Sequence, residues 1–206
     1  MTIHKWGGLA SSLIAVSFVV ASWIYLTGNL QDAAGVTAYH LADFLSGPVL
    51  SASLITLVYV LRELVGRNAH RRMDLALLAA VLSAAGMAAV AFIRASNRHY
   101  HLMHPELSLE NSTTVLIVWT TLVTGMNSLG FHFLGWTYVL LGSAFWTSRF
   151  FSRTLSVLYL LAGFAGWFVF LFQELEGFVL LLGTILGVWQ GVFLLRNDSP
   201  RSTQAG

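Results

Sequence analysis

The chain has 206 residues, 56% of them apolar and only 10% charged, with a net charge of +2 and a mean hydropathy of +0.72. A water-soluble domain carries about 25% charged residues, so the composition points to a membrane bundle, and the small net charge argues against nucleic-acid binding. Cysteine is absent, which excludes disulfides, thiolate metal sites and cysteine nucleophiles.

The first apolar run, Leu9 to Leu26, follows a single lysine, Lys5. It is longer than a signal-peptide core, and Tyr25-Leu26-Thr27-Gly28-Asn29 makes a poor cleavage site, so a retained membrane helix is predicted. A spanning helix needs about 20 apolar residues and must pair its backbone internally. Phe44–Leu61 and Leu75–Ile93 supply the second and third. Pro48 falls near the start of the second, where proline costs little. Asp43 is expected to cap that helix in preference to pairing with His40. The third is expected to project beyond the lipid along a wet stripe of Arg94, Arg98 and His101, ending near Met103 because Pro105 disfavours helical geometry at His104.

From Asn111 to Ser148 the chain carries no Asp, Glu, Lys or Arg over 38 residues, enough for one long helix or two short spans. Basic residues concentrate on the cytoplasmic side of membranes. With one span, Lys5, Arg62, Arg67, Arg71, Arg72, Arg149, Arg153, Arg196 and Arg201 share one side, against Arg94 and Arg98 on the other. With two spans that asymmetry vanishes, so one span is preferred. Thirty-eight helical residues would reach roughly 57 Å, beyond a bilayer core of about 30 Å. The first half should therefore project, with an apolar face of Val115, Val118, Trp119, Leu122, Met126 and Leu129, and a polar one of Thr113, Thr120, Thr124 and Asn127. Asn111 or Ser112 can cap its start, and Gly125, Gly130 and Gly135 permit a kink. Leu155–Phe172 and Phe178–Leu195 complete the set.

The reading is an all-α, polytopic bundle of six transmembrane helices over residues 1–196, with the third and fourth forming an outer hairpin. Residues 197–206 form a short cytoplasmic tail that reads as disordered. Both termini lie in the cytoplasm. Gly183, Gly187 and Gly191 repeat every four residues on the last helix, as do Ala80, Ala84 and Ala88 on the third, and Ala162 and Gly166 lie on the fifth. Such stripes let helices approach closely. They serve contact within the bundle or, alternatively, a homo- or hetero-oligomer seam through the last helix; the outer hairpin is a second possible seam.

The segment 132–167, HFLGWTYVLLGSAFWTSRFFSRTLSVLYLLAGFAGW, resembles a bacterial family of six-helix membrane proteins catalogued as domain of unknown function 4386. The resemblance is carried by Gly135, Leu140-Leu141-Gly142, Ser148, Arg153, Leu155 and Ala162-Gly163; the family's proline is Ser152 here, and its glycine after the leucine is Ser156. It implies a six-helix fold in the bacterial cytoplasmic membrane, and no reaction.

Histidines supply the chemistry-bearing candidates. His132 is an ionisable group in an apolar segment, a functional candidate by default, with Asn127 and Ser128 one turn back; a neutral, hydrogen-bonded histidine is the plainer reading. On the outer side, His101 and His104 lie about 60° apart on a helix, whereas His99 lies about 200° from His101. A zinc, copper or iron site there would have to recruit His40 or an outer-side carboxylate from another loop, the acids on that side being Asp32, Asp43, Glu106, Glu110, Glu174 and Glu176, and a haem on His132 would need His40 as its second ligand. Arg149 and Arg153 read as cytoplasmic anchors. No G-x-S-x-G or H-E-x-x-H motif and no paired intramembrane aspartates occur. The expected function is a non-catalytic subunit or scaffold of a membrane assembly. The alternatives are a small transporter or channel with its site near His132, and an outer-face metal- or haem-binding protein.

Overall fold

The computed structural model describes residues 1–28, 33–65, 69–103 and 112–197. Every regular element among them is helical: α1 Ile3–Thr27, α2 Ala33–Phe44, a wide π turn Leu45–Val49, α3 Leu50–Val65, α4 His70–Met103, α5 Ser112–Ser148, α6 Arg153–Phe168 and α7 Leu175–Arg196. Ile3–Thr27, Ala34–Val65, His70–Arg98 and Leu175–Arg196 are long and apolar enough to cross a membrane, and α6 is apolar but shorter. Their outward faces are apolar, with Val16, Leu78, Phe92, Phe164 and Leu181 all exposed. A surface this apolar fits a bilayer, because in water it would aggregate.

Two expected boundaries change. The second rod begins at Ala33 and not near Phe44, and Pro48 lies inside a continuous rod. Proline cannot donate its backbone nitrogen, and its ring crowds the preceding turn. The π turn around it widens the backbone and accommodates both defects. Gly47 in that turn faces α4 so closely that a Cβ would lie 2.3 Å from the Cβ of Ala91. The long stretch is one unbroken helix, α5.

The rods pack as a closed ring in the order α1, α3, α4, α5, α6, α7 and back to α1. A Cβ on Gly7 would meet Val60 at 2.7 Å and Leu194 at 3.0 Å, so the start of α1 and the ends of α3 and α7 gather at one end, called terminal below. The opposite end is called distal. The stripe Gly183, Gly187 and Gly191 lies against α1, where Phe18, the Ser11 carbonyl and the Ser12 hydroxyl stand 2.6, 2.9 and 2.7 Å from the three Cβ positions. Ser11 Oγ donates to the Gly187 carbonyl at 2.9 Å. This stripe is therefore used within the bundle.

Small residues make the other seams too. Ser51 donates to the Ala84 carbonyl at 2.8 Å, and Ser83 to that of Gly130 at 2.9 Å. Gly86 faces Gly130, while Gly135 faces Gly163 and Gly166. With hydrocarbon outside and inside, close backbone approach and hydroxyl hydrogen bonds replace the hydrophobic drive. The core between the rods holds Leu54, Leu61, Met73, Leu134, Phe145 and Tyr159, all essentially inaccessible. Tyr159 donates to the side-chain carbonyl of the buried Gln190, and its ring meets those of Tyr138 and Phe145 edge-on at 5.4 and 5.3 Å.

At the terminal end Arg62 bonds Asp74 at 2.5 Å and Glu63 at 3.0 Å. Arg72 donates to Thr147 at 2.6 Å, joining α4 to α5. α5 stops at Arg149, whose N–H still bonds the Phe145 carbonyl and whose left-handed φ of 54° turns the following chain off the helix axis. Ser152 then caps α6 through the Leu155 N–H.

Candidate functional site, a charged cavity at the distal end

The distal half of the ring encloses a cavity of about 430 Å³, walled by α1, the α2–α3 rod, α4, α5 and α7. Each element contributes one helical stripe. On α4, Arg94 and Arg98 are one turn apart; on the second rod, Tyr39 and Ser46 face in; on α5, Trp119, Asn127 and Phe131 do so. These spacings are those of a single helix face. The floor is apolar, formed by Phe18, Leu50, Met87 and Leu180.

The centre of the polar wall is an ion pair between Arg98 and Asp43, whose side chains are 15% and 3% exposed. Tyr25 donates to the Asp43 carboxylate at 2.5 Å and lies 3.2 Å from the Ser46 hydroxyl. Arg98 also donates to the Tyr39 carbonyl at 3.4 Å. The Arg94 and Arg98 guanidiniums lie over the rings of Tyr25 and Tyr39, at 5.2 and 5.6 Å from their centroids. Tyr39 ties the end of α1 by donating to the Gly28 carbonyl at 3.3 Å. Across the cavity, Asn127 Nδ2 donates to Glu176 Oε2 at 3.0 Å, and Arg94 lies within electrostatic reach of Glu176. Besides Asp43 Oδ2, which is ion-paired with Arg98, three buried polar atoms around this space have no hydrogen-bond partner among the described residues: Arg98 Nε, Trp119 Nε1 and Ser17 Oγ.

Several expectations change here. Arg94 and Arg98 turn into the bundle and do not form a solvent-facing stripe. Asp43 neither caps a helix start nor pairs with His40; it lies at the end of α2 and binds Arg98. The polar trio His132, Asn127 and Ser128 is split. Asn127 faces the cavity, whereas Ser128 and His132 line an open groove on another side of α5, with Thr120, Thr124, Phe170 and Gln173. The apolar face expected on α5 divides as well: Val118, Leu122 and Leu129 point outward, while Trp119 lines the cavity.

His132 is held by two hydrogen bonds. Trp136 Nε1, which can only donate, reaches Nε2 at 3.2 Å, and Nδ1 lies 3.4 Å from the Trp167 carbonyl. The indole fixes the neutral tautomer with its proton on Nδ1, so that proton meets a carbonyl of the last α6 turn, where intrahelical donors run out. Replacing His132 with phenylalanine is expected to lower stability by about 1 kcal/mol, read as a drop in thermal midpoint in detergent; an unchanged midpoint would show that the contact contributes nothing.

His40 lies on α2, and His101 lies on α4. His104 falls outside the described residues, as do Glu106 and Asn111. Among the described residues no group of three His, Asp or Glu side chains is placed to hold a metal ion. The residues that sequence reasoning passed over are Tyr25, Tyr39, Trp119 and Gln190. Their available signal was polar or amphipathic side chains at a lipid-like position, which demand partners.

No protein-family model matches the chain, and neither does any curated protein or solved structure.

Proposed function

We propose that the chain is a six-span protein of a bacterial cytoplasmic membrane, with both termini in the cytoplasm, and that its outward-opening distal cavity binds a small ligand. The observation that carries this reading is the cavity itself. Four charged side chains from three separate rods line it or pair at its wall, with unpartnered donors beside them. Burying charge this way costs stability, a cost that function explains better than folding does. The orientation is supported by the nine-to-two distribution of basic residues. The ligand site of a small transporter or receptor then belongs at Arg94 and Glu176, on the opposite side of α5 from His132.

A subunit role keeps separate support from the outward apolar row Val118, Leu122 and Leu129. Membership of the 4386 family remains part of the proposal; several residues that carry that resemblance, Gly135, Gly142 and Gly163, form the α5–α6 seam.

The chain lacks cysteine, so single-cysteine labelling is clean. Ser22→Cys, on the cavity wall, is expected to react with a small membrane-impermeant thiol reagent in intact cells. Ser152→Cys, at the terminal end, should react only after permeabilisation. The reverse pattern would overturn the orientation, and a Ser22→Cys inert from both sides would remove the open cavity.

A further inference from the structure

A second, more open groove adjoins the cavity and shares its wall. Phe18, Ser22, Tyr25, Glu176 and Leu180 also line a groove between α1 and α7, whose outer lip carries Val19, Leu26 and Leu181. Below this groove the glycine stripe holds the two helices in contact. At Gly183 the Phe18 ring already fills the seam, 2.6 Å from where a Cβ would stand. Above it the helices leave a side opening with apolar edges, all three lip residues being outward-facing and exposed. A polar, charged chamber with an apolar side door suits a molecule with a polar head and hydrocarbon chains.

The charges define the head. Arg98 and Asp43 neutralise each other. Arg94 makes no ion pair among the described residues, and with Arg98 Nε and Trp119 Nε1 it supplies donors suited to a phosphate. Glu176 has only one carboxylate oxygen bonded to Asn127, which leaves an acceptor for an ammonium. Two positive and two negative groups make the chamber neutral overall, so a zwitterion matches it better than an anion. The Tyr25 and Tyr39 faces, which would otherwise cage a quaternary ammonium, already carry Arg94 and Arg98. A primary ammonium, able to donate hydrogen bonds, is what remains.

Building on the ligand-binding reading above, we infer that the cavity takes the head group of a zwitterionic phospholipid with a primary ammonium, its phosphate toward Arg94 and Trp119 and its ammonium toward Glu176. Its acyl chains leave between α1 and α7 into the bilayer. The same head chemistry exists in soluble phosphoethanolamine, and the side opening selects the lipid form.

The test uses the purified full chain in mild detergent, titrated with dioleoyl phosphatidylethanolamine, phosphatidylglycerol, phosphatidylcholine or soluble phosphoethanolamine, and read by native mass spectrometry and thermal midpoint. The ethanolamine lipid is expected to bind at least about tenfold more tightly than the other three, the worth of one charge-assisted hydrogen bond. Glu176→Gln should erase its advantage over phosphatidylglycerol, and Leu181→Trp, narrowing the side opening, should weaken it while leaving the lipid-free midpoint unchanged. Equal binding of the three lipids overturns the proposal, as does full retention in both variants. Preferential binding of soluble phosphoethanolamine overturns the lipid assignment and leaves the ligand-binding reading standing. That reading falls separately if Ser22→Cys is inert from both sides.

Discussion

Arg98→Leu is expected to destabilise the protein by about 3–5 kcal/mol, the cost of leaving a buried charge without its partner. The carboxylate left behind is that of Asp43, a residue 2% exposed, with the Tyr25 hydroxyl as its remaining hydrogen bond. Asp43→Leu alone should cost a similar amount, since it strands the guanidinium of Arg98. The double replacement should recover most of the loss, because removing both charges also removes their desolvation. Denaturant titration of the four proteins in one detergent measures the coupling. Additive losses would show that the two side chains do not depend on each other.

Gly135→Val is the second large effect, an expected loss of about 3 kcal/mol from overpacking. A Cβ at Gly135 would lie 2.7 Å from the Gly163 carbonyl oxygen and 2.8 Å from the Trp167 nitrogen, both backbone atoms. No rotamer change relieves that contact, so α5 and α6 must separate. Gly125→Ala on the same helix meets nothing within 4 Å and should instead stabilise by up to about 1 kcal/mol through helix propensity. Thermal midpoints of the two variants against the parent decide it; similar shifts of the same sign would contradict the seam.

The contrast between those glycines marks what could be read from the chain. Apolar runs announce the rods because hydrocarbon tolerates little else, and Gly183, Gly187 and Gly191 announce a seam because their spacing keeps them on one face. Tyr39, His40 and Asp43 interrupt the hydropathy of the second rod, so its apolar run starts later than its helix. Tyr39 and Asp43 face into the bundle, an arrangement that depends on α4. Arg98 and Asp43 are 55 positions apart, and no spacing rule within one helix reaches that far. Asn127 and Ser128 are neighbours in sequence but about 100° apart around a helix, so proximity grouped residues that the fold sends to different spaces. His132 looked like a lone ionisable group because its partners, a carbonyl and an indole, carry no formal charge.

The closure of the ring by α1 against α7 imposes an order on manufacture. Of the two, α1 leaves the ribosome earlier and ends at Thr27, while its partner begins at Leu175. About 150 residues separate them, which at typical elongation rates is roughly 8 to 30 seconds of synthesis. Throughout that interval Gly8, Ser11 and Ala15 present a bare notch, to lipid or to whatever accompanies the nascent chain. A message cut short before α7 would yield a protein with that notch permanently open, recognisable to quality control by one face of one helix.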